Sequence, residues 1–355
     1  MIRIFVIGFS ANKGGVEYYI SNLCSCLNQE EFEVIYSMPQ MLIKGKLWTR
    51  PQNRHNYIKY SQFWKAFYKE NYFDVVYLNT CDLVSIDDLI FAKRAGVPVR
   101  IIHSHNTGIQ QKMNVIHWCL EKWNRVVLHK YATHLFACSQ VAGKWMFDKR
   151  QFTVIKNGIK LSKFVYSGET RENKRNKLKI KNQFVVGCVG RLEPQKNPVF
   201  SIEVFEKIAR IREDAILVFV GEGDLQDALR SIVDKKGLQE KVVFLGARND
   251  IHELMSVFDC LLMPSFFEGL PFVLVEAQAS GLPCIVSENV SKEADLTGLV
   301  EFISLDESKD IWAKKILEKE KIQRRNYAER LMEQGYSIEE TGKNVCNILR
   351  TALNK

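Results

Sequence analysis

QFVVGCVGRLEPQKNPVFSIEVFEKIARIREDAILVFVGEG, residues 183–223, runs from one apolar segment to another through a polar turn and a stretch with apolar residues at helical spacing. Neither apolar segment alternates with polar residues. A strand without a polar face needs cover on both sides, and a helix that joins two such strands makes them parallel neighbours. The pattern continues downstream. LQDALRSIVDKKGL (225–238), IHELMSVF (251–258) and PFVLVEAQASG (271–281) read as helices, and KVVFLG (241–246), DCLLMPS (259–265) and PCIVSE (283–288) as strands.

Upstream there is a second set. IRIFVIGF (2–9), FEVIYSM (32–38), DVVYLNT (74–80), VRIIHSH (99–105), HLFACS (134–139) and FTVIKNG (152–158) read as strands, with VEYYISNLCSCLNQ (16–29) as a helix. The class is α/β with two doubly wound units, as expected for 355 residues at roughly 150 per domain. The units are expected at 1–160 and 183–335, with the polar, charged stretch 161–182 as a linker. Residues 308–355 read as helical and charged.

The composition, 46% hydrophobic and 26% charged, is that of a soluble globular chain, and no window approaches the roughly 18 apolar residues of a membrane span. The first apolar run is too short for a signal peptide. Nine cysteines without a C-x-x-C pair argue against a disulfide scaffold or zinc ribbon and point to a reducing, cytoplasmic compartment. Of the net +9, residues 1–160 contribute 21 Lys and Arg against 11 acidic residues, a net of +10. A half so charged attracts nucleic acid or an anionic membrane surface, or is simply a solvated face.

Ligands of doubly wound sheets bind at the carboxyl ends of the strands, and four loops there carry reactive or binding residues. Ser10-Ala11-Asn12-Lys13-Gly14-Gly15 precedes a helix; its glycine pair admits a phosphate or sugar to the backbone, or marks a plain tight turn. His103-Ser104-His105-Asn106 offers acid–base groups, sugar partners or metal ligands, although no third ligand lies nearby in sequence. Alternation puts His103 and His105 on one face. Arg191 and Lys196 flank a turn before a helix, an arrangement suited to a diphosphate or to an exposed surface pair. Pro264-Ser265-Phe266-Phe267-Glu268-Gly269-Leu270-Pro271 leads into FVLVEAQASG, where Glu276 sits in an otherwise apolar run. A carboxylate there needs partners, which two vicinal ribose hydroxyls, a helix cap or a salt bridge would supply.

The ordered set GGVE, IIHSHN, ACS, VIKNGI, VGRLEPQKNP, LVFVGEGDL, VVFLGARNDI and MPSFFEGLPFVLVEAQASGLPCIVS resembles the retaining glycosyltransferases of the GT-B fold, family 4 type, in the branch that builds bacterial exopolysaccharide and capsule. Glu268 and Glu276 match that family's E-x7-E spacing. The resemblance implies two Rossmann-like domains facing a central cleft, with a C-terminal helix of about 336–355 returning to the N-terminal domain. It also implies roles. Glu276 would hold the nucleotide ribose and Glu268 the donor sugar hydroxyls. Arg191 and Lys196 would hold the diphosphate, helped by Gly14, Gly15 and the amides after Gly269 and Leu270. Arg248 would border the base. His103 would lie near the reacting sugar, His105 and Asn106 on the acceptor side, and Asn157 and Gly158 at the hinge. Where many relatives carry a glycine pair, near 289–294, this chain reads Asn289-Val290-Ser291-Lys292-Glu293.

The expected reaction is transfer from a nucleotide-sugar, UDP-linked by the resemblance, to a polyprenyl-diphosphate-linked or other saccharide acceptor. No D-x-D pair is set in a suitable loop, so cations and helix amides are expected to neutralise the leaving group without a metal or cofactor. Retention is implied by the resemblance alone. The rival readings are an epimerase or hydrolase on the same scaffold and a non-catalytic nucleotide-sugar-binding partner. Residues 41–70 mix Lys44, Lys46, Arg50, Lys59, Lys65 and Lys69 with Trp48, Tyr57, Tyr60, Phe63, Trp64, Phe67 and Tyr68. That mixture suits contact with an anionic membrane at its cytoplasmic face. No RNA-binding motif accompanies it, so nucleic acid is not an expected partner.

Overall fold

Runs of Val, Ile, Leu and Phe with no polar face become buried parallel strands in both halves of the chain. The structure, a computed structural model, describes residues 1–9, 14–51, 56–106, 108 and 114–354. It divides into two units, Met1–Gly158 with Ile338–Lys355, and Ile159–Ser337.

In the first unit the strands are β1 (Ile2–Ile7), β2 (Phe32–Tyr36), a hairpin of β3 (Gln40–Ile43) and β4 (Lys46–Thr49), then β5 (Val75–Thr80), β6 (Val99–Ser104), β7 (His134–Ala137) and β8 (Thr153–Val154). The main sheet is parallel, in the order β2-β1-β5-β6-β7-β8. Its direction of winding reverses between β1 and β5, the switch point where such sheets take ligands. Gly8 follows β1 with φ +100°, and a Cβ there would stand 2.2 Å from the Asn79 carbonyl oxygen. Only glycine lets the two strand ends come this close.

The second unit holds β9 (Phe184–Val189), β10 (Ala215–Val220), β11 (Val242–Phe244), β12 (Cys260–Met263), β13 (Cys284–Ser287) and β14 (Val300–Ile303). Their order, β11-β10-β9-β12-β13-β14, is the doubly wound order with its switch point between β9 and β12. Gly221 after β10 has φ +137°, and a Cβ would lie 2.0 Å from Gly190 O. The core gathers Phe184, Phe205, Phe219 and Trp312, all at most 2% exposed. Each such side chain contributes about 1.5–3 kcal/mol of transfer free energy.

Two expectations need correction. Residues 161–182 are not a linker; they fold inside the second unit, with helix Gly168–Lys177 packed on helix Ile251–Val257. Three of the charges that make the stretch look solvated are spent inward. Lys174 pairs with Asp250 and Glu253, and Arg171 and Arg175 bond the carbonyls of 256–258 and the Asp259 carboxylate, capping that helix. The aromatics of 41–70 are likewise mostly core. Trp48, Tyr60, Trp64 and Phe67 are buried against Phe5 and Phe73 beneath helix Tyr57–Glu70. The C-terminal helix, Ile338–Ala352, packs on helix Gly15–Ser25 within the first unit, where Arg350 reaches Glu31 at 2.6 and 2.8 Å. Among the described residues no helix is long and apolar enough to cross a membrane.

Candidate functional site

The second sheet's switch point is built by the loops after β9 and β12. Asn197, in the left-handed region at φ 52°, ends a single turn at Pro194–Lys196 and starts helix Pro198–Ile211. That turn aims Lys196 across the gap, where its Nζ donates to Glu268 Oε1 at 2.5 Å. Two further bonds lock the loops together: Phe266 N to Gln195 O at 2.9 Å and Gln195 Nε2 to Phe267 O at 3.0 Å. Arg191 is exposed and turns its guanidinium to Glu193 at 2.6 Å. Gly190, Arg191, Lys196, Met263 and Pro264 line one recess. A cation pair at the mouth of a parallel sheet, beside a helix amino end, is chemistry for a diphosphate.

Gly269 and Leu270 sit in the turn before helix Phe272–Ala279, whose amino end follows Pro271. All eight residues of that helix are buried, Glu276 among them at 6% exposure. Gln278 shares the helix and anchors the loop after β13: its Nε2 donates to Leu274 O and Ala294 O, and its Oε1 accepts from Leu296 N and Thr297. The Asn289–Glu293 segment, which lacks the relatives' glycines, is tied to the site through the bridge between Glu268 and Val290. Arg248 lies after β11 with its guanidinium on Asp250, at 2.6 and 2.8 Å, and that bond raises its pKa.

In the first unit, His103 lies within β6 and is fully buried; His105, just beyond, is half-buried. Their rings lie on one face with centroids 4.1 Å apart, both against Tyr19 of helix Gly15–Ser25. Tyr19, Tyr77 and His103 Nδ1 form a row with 2.9 Å spacings. His103 Nε2 is buried with no hydrogen-bond partner among the described residues. Asn79 Nδ2 donates to Ile7 O at 3.2 Å, so its Oδ1 is the atom that accepts from His105 Nε2 at 2.9 Å. This places the His105 proton on Nε2 and the lone pair on Nδ1. Burial pushes His105 down to about 3, and burial with the adjacent His105 ring holds His103 well below the usual imidazole range. Both rings are neutral at physiological pH. Asn106 is buried beside them. Gly14 and Gly15 begin the first helix, while Ser10, Ala11, Asn12 and Lys13 lie outside the described residues.

The structure thus gathers Arg191, Lys196, Glu268, Gly269 and Leu270 at one strand-end junction, with Glu276 in the helix that follows. His103, His105 and Asn106 cluster at the other unit's strand ends. Sequence reading missed Tyr19, Tyr77, Asn79, Gln195 and Gln278. The period-two pattern of YLN in β5 puts Tyr77 and Asn79 on one face and was the available signal for two of them. Among the described residues, no group of three or more His, Cys, Asp or Glu is placed to hold a metal ion.

Residues 170–337 match the family described as Glycosyl transferases group 1. EpsF of Bacillus subtilis, a protein named as a glycosyltransferase, is 32% identical over 340 residues, covering 88% of this chain and 86% of the relative. The chain belongs to the group 1 glycosyltransferases. The transferase is also 32% identical over 233 residues to an Escherichia coli enzyme, the UDP-Gal:alpha-D-GlcNAc-diphosphoundecaprenol alpha-1,3-galactosyltransferase; that match covers 63% of this chain and 60% of the other. Its fold is that of Anabaena HepE, solved with UDP and glucose, at a TM-score of 0.77 and 18% identity over 98% of this chain and 99% of that one. The two parallel sheets are therefore the two Rossmann-like domains of a GT-B transferase.

Proposed function

We propose that this transferase moves a hexosyl group from a UDP-sugar to a polyprenyl-diphosphate-linked saccharide in polysaccharide assembly, with retention of configuration and without a metal ion. One observation carries the reading: Lys196 and Glu268 meet at the second sheet's switch point, beside the amino end of helix Phe272–Ala279. The name of the Escherichia coli relative, with its UDP-galactose donor and diphosphoundecaprenol acceptor, supports the substrate class.

In this reading the bond from sugar C1 to the diphosphate oxygen breaks and negative charge gathers on the departing UDP. Lys196, Arg191 and the first amides of helix Phe272–Ala279 meet that charge in place, so no reorganisation is needed as it develops. A bound diphosphate shares Lys196 with Glu268 and frees that carboxylate for sugar hydroxyls. Glu276 takes the ribose hydroxyls, and Arg248 borders the base. Gly14 and Gly15, at the amino end of the first unit's helix, offer backbone amides to an anion. The acceptor hydroxyl attacks C1 on the face the leaving group vacates, and its proton passes to the departing phosphate oxygen. His103 and His105, both neutral, orient the sugar and the acceptor instead of taking that proton, with Asn106 on the acceptor side. The protein works at the cytoplasmic face of the membrane, where its acceptor is anchored.

The test is transfer by the full chain, with EDTA present, from UDP-galactose, UDP-glucose, UDP-N-acetylglucosamine and GDP-mannose to detergent-dispersed N-acetylglucosaminyl-diphosphoundecaprenol. An α-linked product from a UDP-sugar is expected. Transfer that needs added manganese overturns the metal-free step. Free or epimerised sugar formed without acceptor, and no transfer, supports the rival enzyme readings.

A further inference from the structure

Helix Val115–Val127 is built the wrong way round for a helix on a soluble protein. Its inner face is polar. Glu121 and Asn124 are buried, with Asn124 Nδ2 bonded to Leu83 O and Val84 O at 2.8 and 3.1 Å. Arg125 spans from Glu121 at 2.6 Å to Trp145 O at 2.8 Å. Its outer face is apolar: Val115, Ile116, Trp118, Trp123 and Val126 are each more than half exposed. An ordinary surface helix turns such a stripe to the core. Here polar bonds hold the helix down and the stripe is left facing outward.

A contiguous apolar face marks an interaction site. Its surroundings indicate the partner. Residues 93–150 hold ten Lys and Arg and only two acidic residues, a net of +8. One of the two acids, Glu121, is paired inward. Lys122 stands 5.8 Å over the Trp118 ring, and Lys93 reaches the Lys130 carbonyl just past the helix end at 2.8 Å. Two exposed tryptophans on an apolar helix face with lysines at its border match an interface of acyl chains below anionic headgroups. A second copy of this chain would bring the same positive charge against itself.

We propose that this outward face of helix Val115–Val127 docks the transferase on an anionic lipid surface. This rests on the reading that its acceptor is lipid-linked. It assigns the contact to a different stretch from 41–70, whose aromatic residues are largely spent on the core.

The experiment is flotation of the full chain with phosphatidylglycerol-containing vesicles and with pure phosphatidylcholine vesicles. It compares wild type with W118S/W123S and with K122E/K130E, and records size exclusion and detergent-phase turnover for each. Wild type is expected to float with the anionic vesicles only. Each double variant is expected to lose about tenfold or more of that binding, while turnover on the detergent-dispersed acceptor stays near wild type. Raised salt should weaken wild-type binding toward that of the lysine variant. Variants that float like wild type overturn the proposal. So does a wild type that elutes as a dimer and becomes monomeric in W118S/W123S, since a second copy then covers the face. Flotation reads the surface and detergent-phase turnover reads the reaction. Loss of one with the other intact therefore shows which of the two readings has failed.

Discussion

At the second sheet's switch point the side chains carry charge. Lys196 bonds Glu268 at 2.5 Å, and Arg191 bonds Glu193 at 2.6 Å. At the strand ends of the first sheet the polar groups are neutral. Tyr19 and Tyr77 are pushed well above the usual phenol range by burial, and His103 and His105 well below the imidazole range. The proposed reaction gives these two sheet ends two kinds of chemistry. In the proposed reaction, cations already positioned by carboxylates meet the departing phosphate. Where a sugar must be oriented, uncharged rings with fixed protons serve better, because a buried charge there would cost several kcal/mol to desolvate.

The sharpest way to break the contrast is to remove the cation. K196A should lower kcat by about a hundredfold, some 3 kcal/mol of transition-state stabilisation, with circular dichroism unchanged. A loss of only twofold would mean Lys196 serves Glu268 and not the leaving group. On the neutral side, H105A should cost about tenfold in kcat/KM, since it removes a hydrogen-bond partner and not a charge.

N79D converts the contrast itself. The new carboxylate would accept from His105 Nε2 and raise the imidazole pKa, so turnover should acquire an acid limb between pH 5 and about 7. A pH–rate profile identical to wild type would show that Asn79 does not set the His105 proton. The smallest effect is on stability. Both histidines titrate lower when folded than the ordinary 6.5, so the unfolded chain binds more protons as pH falls below 6.5. Stability contributed by the neutral rings is present above that pH and declines from there toward about 3. Urea midpoints at pH 7 and pH 5 should converge in an H105N variant relative to wild type.

Local pattern made much of this legible. Unalternating apolar runs gave β1 to within two residues and the starts of β9 and β10 to within one, because burial on both faces leaves no room for polar side chains. Strand-end loops with glycine, proline and paired charges gave the residues that meet at the second sheet's switch point. The Tyr19–Tyr77–His103 row was harder to see, because its members come from two strands and a helix far apart in sequence.

Composition failed where a charged or aromatic residue has two honest destinations. Arg171, Lys174 and Arg175 read as solvated linker, yet the two arginines cap a neighbouring helix and the lysine pairs with its Asp250 and Glu253. Trp64 and Phe67 read as a membrane patch, yet they fill the core. The stripe on helix Val115–Val127 would pass for a core face. The amino-acid order alone fixed which segments pair into sheets and which loops carry reactive groups, since both follow from neighbours within a few residues. Which way a helix turns its stripe, and whether an arginine meets water or a carbonyl, depended on partners brought in from far along the chain. Side-chain burial is a property of the assembled layers, and no local spacing encodes it.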